Sequence, residues 1–486
     1  MPLASACAAG EGDASVASAG DRADGPVGGD MDADGDAGSS SSGQDAGDGG
    51  DDSDGDGSGG DPGLVPDERD PDTGGEDPDD RPDIDLGPLT SCIKLAAAPC
   101  PGNDDSGLVR HAGLSAWSPC RFELADAGTW DERAAVLDAL AQRLAELPVA
   151  EIDFDRLGVA ADGGVSKLAK LEHFARGFRW QDVDFNDGRW MPQGVSGTYD
   201  AYEFGAIDGR AMIATSWYHK ASVSDLGLPN EVVRISFADV TSLADGGGVP
   251  YRHALLVEPF DDGGVPNFKA PQLHAGGIAW VGRYLYVADT ARGLRVFDTA
   301  RMFAVDGDAA TAVGYDAQSG EYDAYGYTYV LPQVGAYSFS GASCGARTSF
   351  VGVDSTSEPP SLVTGEFHDA DIAGKLIRWP LDGDRLELTD PELGTVLATE
   401  AFLAQESDMQ GAVSVGGEWW LSSSAQSGAD GALYQVGHGR PSASHGWVVG
   451  PEDMMYARQE GLLWSLNEFA GNRYVFAVDL GAYGAL

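Results

Sequence analysis

Basic residues are the first shortage in this chain of 486 residues: 30 Lys and Arg stand against 78 Asp and Glu, for a formal charge of −48. So few cations cannot build the basic stripe that a polyanion needs, which excludes DNA and RNA as partners. Long apolar runs are also missing. None approaches the roughly 18 residues of a membrane-spanning helix, so no transmembrane span is expected. Cysteine is scarce, with five in the whole chain, and no pair has CxxC spacing beside histidines, which argues against a zinc site. Helical periodicity fades after about residue 189, so a mainly helical fold is excluded there.

What is present falls into three segments. Residues 1–86 carry 25 Asp and Glu against 3 Arg and are built from Asp, Gly and Ser. Such a segment has too little apolar surface to offset chain entropy, and a disordered, extended tether is expected. Asp30, Asp32, Asp34 and Gly35 copy the start of a calcium loop, but Ser41 occupies the position of the bidentate Glu, so a solvated spacer is the better reading. Cys7 ends a small-residue run, "MPLASAC", similar to a lipobox, although no basic or apolar leader precedes it. Lipidation of Cys7, as a lipid anchor behind a signal peptide lying upstream of this start, is the expectation.

Residues 87–185 read as a small helical cap with cysteines. "TWDERAAVLDALAQRLAEL" opens on Thr129 with Glu132 three positions on, a capping box, followed by Val136, Leu137, Leu140, Leu144 and Leu147 at helical spacing. A second helix is expected around "VSKLAKLEHFARGF", with Leu168, Leu171 and Phe174 inward and His173 on it as a surface or packing residue. Cys92, Cys100, Cys120 and Cys344 could form two disulfides with three connectivities, which would imply an oxidising, exported setting.

Residues 186–486 change character again. "HAGGIAWVGRYLYVADTARGLRVFD", from His274, shows three short apolar runs separated by turns. The same internal order recurs in units beginning near Pro192, Thr348, Met409 and Gly450. Repeated units of three or four strands predict a mainly β fold, a β-propeller of about five blades, with six compatible with the long gaps between units. A β-sandwich explains short strands equally well but not the shared internal order. The strand "YVFAVDL" is expected to complete the last blade and help close the ring.

A propeller gathers the entries of its innermost strands at one end of the axis. Those entries hold Gln193, His274, Ser349, Gln410, Glu452 and Asp453. The ends of the second strands supply Trp217, Tyr218, His219, Asp289, Glu366, His368, Ser423, Ser424, Asn467 and Glu468. Of these, Gln193, Trp217, Tyr218, His219, His274, Asp289, Gln410, Glu452, Asp453 and Asn467 are the candidate ligand-binding residues. The oxygen-rich set Glu452, Asp289, Gln410 and Asn467 would suit Ca²⁺ as a cofactor, and His274 could act as a general base, with Glu452 the other catalytic candidate. "GASCG" around Ser343 matches a nucleophile elbow by chance, because no strand and helix flank it.

The motifs "WMPQGV", "SWYHK", "RISFAD", "HAGGIAW", "YLYVADT", "LRVFD", "YVLPQVG", "MQGAVSV", "LSSS" and "GPEDMMY" together resemble a group of uncharacterised exported bacterial β-propeller proteins common in actinobacteria. The resemblance covers residues from about 165 to 486 and implies export and fold, with no reaction attached. A more distant likeness, in architecture only, is to propellers of the gluconolactonase and strictosidine synthase type, which hold a metal or substrate on the axis. Two functions follow as expectations. The first is an exported, secreted or surface-tethered module in the cell envelope that binds a small molecule or an envelope or extracellular partner. The alternative is a Ca²⁺-dependent lactonase- or esterase-like hydrolase using the channel. A purely structural packing role is a third.

Overall fold

The structure, a computed structural model, describes residues 107–165, 167–340, 346–425 and 428–484. All of these residues belong to the unit spanning 86–486. The expected tether, the calcium-like loop, Cys7, Cys92, Cys100, Ser343 and Cys344 all lie outside the described residues. Among those described, no helix is long and apolar enough to cross a membrane.

Strands dominate, and most of them assemble into five antiparallel blades. Blade 1 runs outward from Trp190–Gly197 through Met212–His219 and Val233–Asp239 to Val249–Asp262. Blade 2 follows with Ile278–Val281, Tyr284–Asp289, Gly293–Asp298 and Tyr329–Phe339. Blade 3 has Phe350–Asp354, Ser361–Gly365, Lys375–Asp382 and Glu400–Leu403. Blade 4 has Met409–Val415, Glu418–Ser423, Asp430–Gly437 and Arg440–Val449. Blade 5 has Pro451–Ala457, Leu462–Asn467 and Tyr474–Asp479. The first strand of each sheet packs on the first strands of its two neighbours, and blade 5 returns to blade 1. The arrangement is a propeller-like ring with one sheet for each of the five sequence units.

Inner strands in so tight a ring leave no room for side chains on the axis. A Cβ added to Gly277 would lie 2.5 Å from the Val351 amide, and one on Gly411 would lie 2.6 Å from the Asp453 Cα. Gly194 and Gly352 meet neighbouring inner strands in the same way. The recurrent "QG", "GG" and "VG" at strand entries is therefore a packing requirement. Between blades the faces are apolar on both sides. Inner and second strands are buried almost throughout, and Trp180, Trp217, Trp280, Trp379, Trp419, Trp447 and Trp464 are fully enclosed.

The stretch before residue 186 departs from the expected helical cap. Among the described residues of that stretch two α-helices are present, Trp130–Leu140, with Leu137 and Leu140 buried as the spacing requires, and the single turn Asp182–Phe185. The capping box of the longer helix does not form, because Thr129 makes no side-chain cap bond. The Asp126 carboxylate takes over the entry, accepting from the Gly128 amide at 2.8 Å and the Trp130 indole at 2.9 Å. The second expected helix is absent among the described residues. Residues 167–173 are mostly turns, and Phe174–Arg179 is a strand paired with Tyr474–Asp479. Pairing to the otherwise bare edge of blade 5 overrides a helix-forming sequence, and His173 adopts a left-handed φ of 56° just before that strand. Arg156–Ala161 extends the same sheet, Glu123–Asp126 extends blade 2, and Ser115–Trp117 extends blade 3. The N-terminal stretch thus supplies outer strands. Leu168 and Leu171 are nonetheless buried, so the apolar pattern was legible although its geometry was not.

Candidate functional site at the mouth of the ring

In each antiparallel sheet the start of the first strand lies beside the end of the second. Gln193, His274, Gln410 and Glu452 therefore open on the same end of the ring as Tyr218, Asp289, Ser423 and Glu468. The close approaches of Gly194 to Ile278, Gly277 to Val351 and Gly411 to Asp453 fix the common level.

Glu452 is 2 % exposed, yet its carboxylate takes no hydrogen bond among the described residues. Its charged neighbours are Glu468 and Asp453, and burial together with their repulsion pushes its pKa well above the usual carboxylate range. Tyr218 and His274 lie face to face, tilted, with ring centroids 4.5 Å apart. Burial and the nearby Glu468, Glu452 and Glu231 carboxylates raise the Tyr218 hydroxyl. Burial, aided by Lys220, lowers His274 to about 4, so its ring is neutral at pH 7. Neither side chain has a hydrogen-bond partner among the described residues. Glu468 is raised to about 7 by burial, against the pull of Arg473 and Lys220. The Gln193 amide donates to Glu468 at 3.3 Å and to the Pro192 carbonyl at 3.0 Å. The mouth thus collects Gln193, Tyr218, His274, Glu452 and Glu468, several with hydrogen-bonding capacity unspent.

Asp453 lies between the inner strands of blades 5, 1 and 2. One carboxylate oxygen accepts the amides of Val195 and Ile278, both at 3.1 Å, stitching blade 5 to blades 1 and 2. Its other oxygen is buried without a partner. Burial raises Asp453 well above its ordinary value despite those amides, and Asp200 nearby adds to the shift. Asp200, one turn past the far end of the blade 1 inner strand, is raised to about 8 by burial. Ser196 donates to it at 2.7 Å and accepts from the Trp280 amide at 2.8 Å. Sequence reasoning missed Asp200, because nothing in "GTYDAY" signals that a helical turn folds the side chain back under the ring.

Other candidates are committed elsewhere. Trp217 is core, its indole donating to Ser236 at 2.7 Å. His219 is fully buried within blade 1, its ring nitrogens 2.8 Å from the Pro229 carbonyl and 2.6 Å from the Ser224 hydroxyl. Asn467 braces backbone, accepting from the Tyr474 amide at 2.9 Å. Gln410 faces the mouth end but donates to Ser424 at 3.3 Å. Asp289 pairs with Arg295 at 2.9 Å, over the outer part of blade 2. Of the oxygen set expected for Ca²⁺ (Glu452, Asp289, Gln410, Asn467), three are thereby held by other partners and Glu452 alone is not. Among the described residues no three His, Cys, Asp or Glu groups converge as metal ligands.

One arrangement imitates a catalytic triad. Ser236 lies 2.8 Å from His253, whose other nitrogen is 3.1 Å from Asp184. All three are buried, Ser236 completely, and its oxygen also accepts the Trp217 indole. Burial and Arg234 lower His253 to about 3. Asp184 further accepts from Arg234 at 2.9 Å and Tyr251 at 2.7 Å. Buried in this way, the network is a structural clamp joining residues 182–185 to blade 1.

No family model matches the chain, and no curated protein matches it. Solved structures share a coarse likeness. A GH43_1 enzyme from Xanthomonas citri covers 71% of this chain and 92% of its own, at 10% identity and a TM-score of 0.28. XC5397 from Xanthomonas campestris, described as a gluconolactonase, covers 68% and 87% at 11% identity and a TM-score of 0.26. The β-xylosidase RS223 covers 60% and 92% at 8% identity and a TM-score of 0.29. At these scores the likenesses carry no argument about the site, which rests on the residues above.

Proposed function

We propose that the protein is a binding module whose ring mouth takes a small, uncharged, hydroxyl-rich molecule of the carbohydrate or polyol class. The observation that carries this is the unspent hydrogen-bonding capacity of Glu452, Tyr218 and His274, gathered at one end of the ring. Unpaired polar groups at a buried site are costly unless something completes them. Hydroxyls donate and accept in turn, which suits a protonated carboxyl, a phenol and a neutral imidazole together. The Tyr218–His274 pair adds an aromatic face. A second reading, hydrolysis of the bound molecule, is favoured by Glu468, whose pKa near 7 suits an acid or base beside Glu452.

Calorimetric titration of the full chain with uncharged sugars and polyols tests the reading. One molecule should bind per chain. Glu452→Gln, which resembles the protonated acid, should keep affinity within about threefold, and Glu452→Leu should lose roughly tenfold or more. Absence of binding across the panel removes the proposal. Turnover of the bound ligand, abolished by Glu452→Gln while binding persists, would establish the hydrolase instead. The setting belongs to the same proposal: an exported chain with Cys120 in a disulfide, held at the envelope through the acidic segment and a lipid on Cys7. The acidic composition of residues 1–86 supports it, and radiolabelled fatty acid incorporation, lost on Cys7→Ser, tests it.

A further inference from the structure

We infer that a second site, for the carboxylate of a small organic acid, lies between the helix Trp130–Leu140 and the outer strands of blade 2. A cavity of about 200 Å³ is lined there by Arg133, Arg292, Arg295, Asp289, Gln333 and Tyr337, among others. Three guanidinium groups at one place are unexpected in a chain with 30 Lys and Arg against 78 acids.

Two of the three are partly engaged. Arg295 donates to Asp289 at 2.9 Å and to Gln333 at 3.2 Å. Arg133 donates through Nη2 to Glu258 at 2.9 Å, but its Nη1 is buried without a partner. The side chain of Arg292 is exposed and has no partner among the described residues. Arg133, Arg292, Arg295 and Lys269, which shares Glu258 at 3.6 Å, stand against Asp289, Glu258 and Glu132, which leaves one positive charge, together with guanidinium donors that no acceptor among the described residues takes. A planar carboxylate accepts two parallel N–H bonds from a guanidinium and carries one negative charge, so it matches both counts. Asp289 on the wall disfavours a second negative charge, which selects a monocarboxylate over phosphate or a dicarboxylate. Asp289, at the mouth end of blade 2, lines this cavity, but Glu452, Tyr218, His274 and Glu468 do not, so the two sites are distinct.

The test is calorimetric titration of the full chain with sodium acetate and lactate, against inorganic phosphate, succinate and chloride at constant ionic strength. Saturable binding of a monocarboxylate is expected, weakened roughly tenfold by Arg292→Gln and again by Arg133→Gln, a change of about 1.4 kcal/mol each. Arg292→Gln is at the surface and keeps the test valid if Arg133→Gln fails to fold. No saturable binding, equal binding by Arg292→Gln, or tighter binding of phosphate than of either monocarboxylate would overturn the inference. Sugar binding at the mouth should be unchanged in Arg292→Gln, so failure here is separable from failure there.

Discussion

Replacing Asp184 with asparagine should remove the clamp that holds residues 182–185 on blade 1. Its carboxylate oxygens accept from Arg234 at 2.9 Å, Tyr251 at 2.7 Å, His253 at 3.1 Å and Arg156 at 3.3 Å. Arg234 is buried, and beyond Asp184 it has the Tyr327 oxygen at 3.3 Å and the faces of Trp190 and Trp217. Taking one partner from a buried pair leaves an uncompensated charge and costs about 3–5 kcal/mol. With a guanidinium m value of roughly 4 kcal/mol/M, the unfolding midpoint should fall by about 1 M while m stays constant. The pH dependence supplies a control. The donors hold Asp184 below the ordinary carboxylate range, so its contribution is complete above the unfolded value of about 3.9 and fades as pH falls below it. Wild type and Asp184→Asn should thus differ by a constant amount from about pH 6 to 8 and converge in acid. A loss under about 1 kcal/mol at pH 7 would refute the assignment of the network as a clamp.

The buried acids of the ring should act in the opposite sense. Asp200, raised to about 8, and Glu468, raised to about 7, contribute stability that is complete below the unfolded carboxylate values and lost as pH rises through the folded ones. Thermal stability should therefore drop between about pH 4 and 8 and level off above, and Asp200→Asn should flatten that drop in calorimetric scans. Gly277→Ala drives a Cβ to 2.5 Å from the Val351 amide of the next blade. It should cost about 1–3 kcal/mol or more, read as a lowered denaturant midpoint. Ser236→Ala should leave any hydrolytic activity intact, because Ser236 is sealed inside blade 1; loss of turnover with the fold retained would reinstate the Ser236–His253–Asp184 set as chemistry.

Much of the ring was legible because its constraints are local. Continuous short apolar runs such as "YLYVAD", buried on both faces, and a glycine at four of the five strand entries repeat wherever an inner strand must approach its neighbours. The N-terminal stretch was less so. "VSKLAKLEHFARGF" carries helix-forming residues, and only the distant edge Tyr474–Asp479 turns its last part into a strand. The mouth divides in the same way. Gln193, His274 and Glu452 follow from topology, since entry positions share one end of the ring. Whether a polar side chain is spent depends on groups far off in sequence, which is why His219 and Asn467 resembled Tyr218 and Glu452 until their partners were placed. Asp289 sits at the right strand end, but an arginine six residues on claims it.

The most direct test of the mouth as a binding site is nitrogen-15 NMR of the histidine rings as the tightest-binding uncharged sugar or polyol is added. His274, whose ring nitrogens have no protein partner among the described residues, should shift to saturation with the same affinity as calorimetry. His219 and His253, both locked by hydrogen bonds inside blade 1, should stay still. An unmoved His274 alongside measurable binding would place the ligand elsewhere and contradict the account.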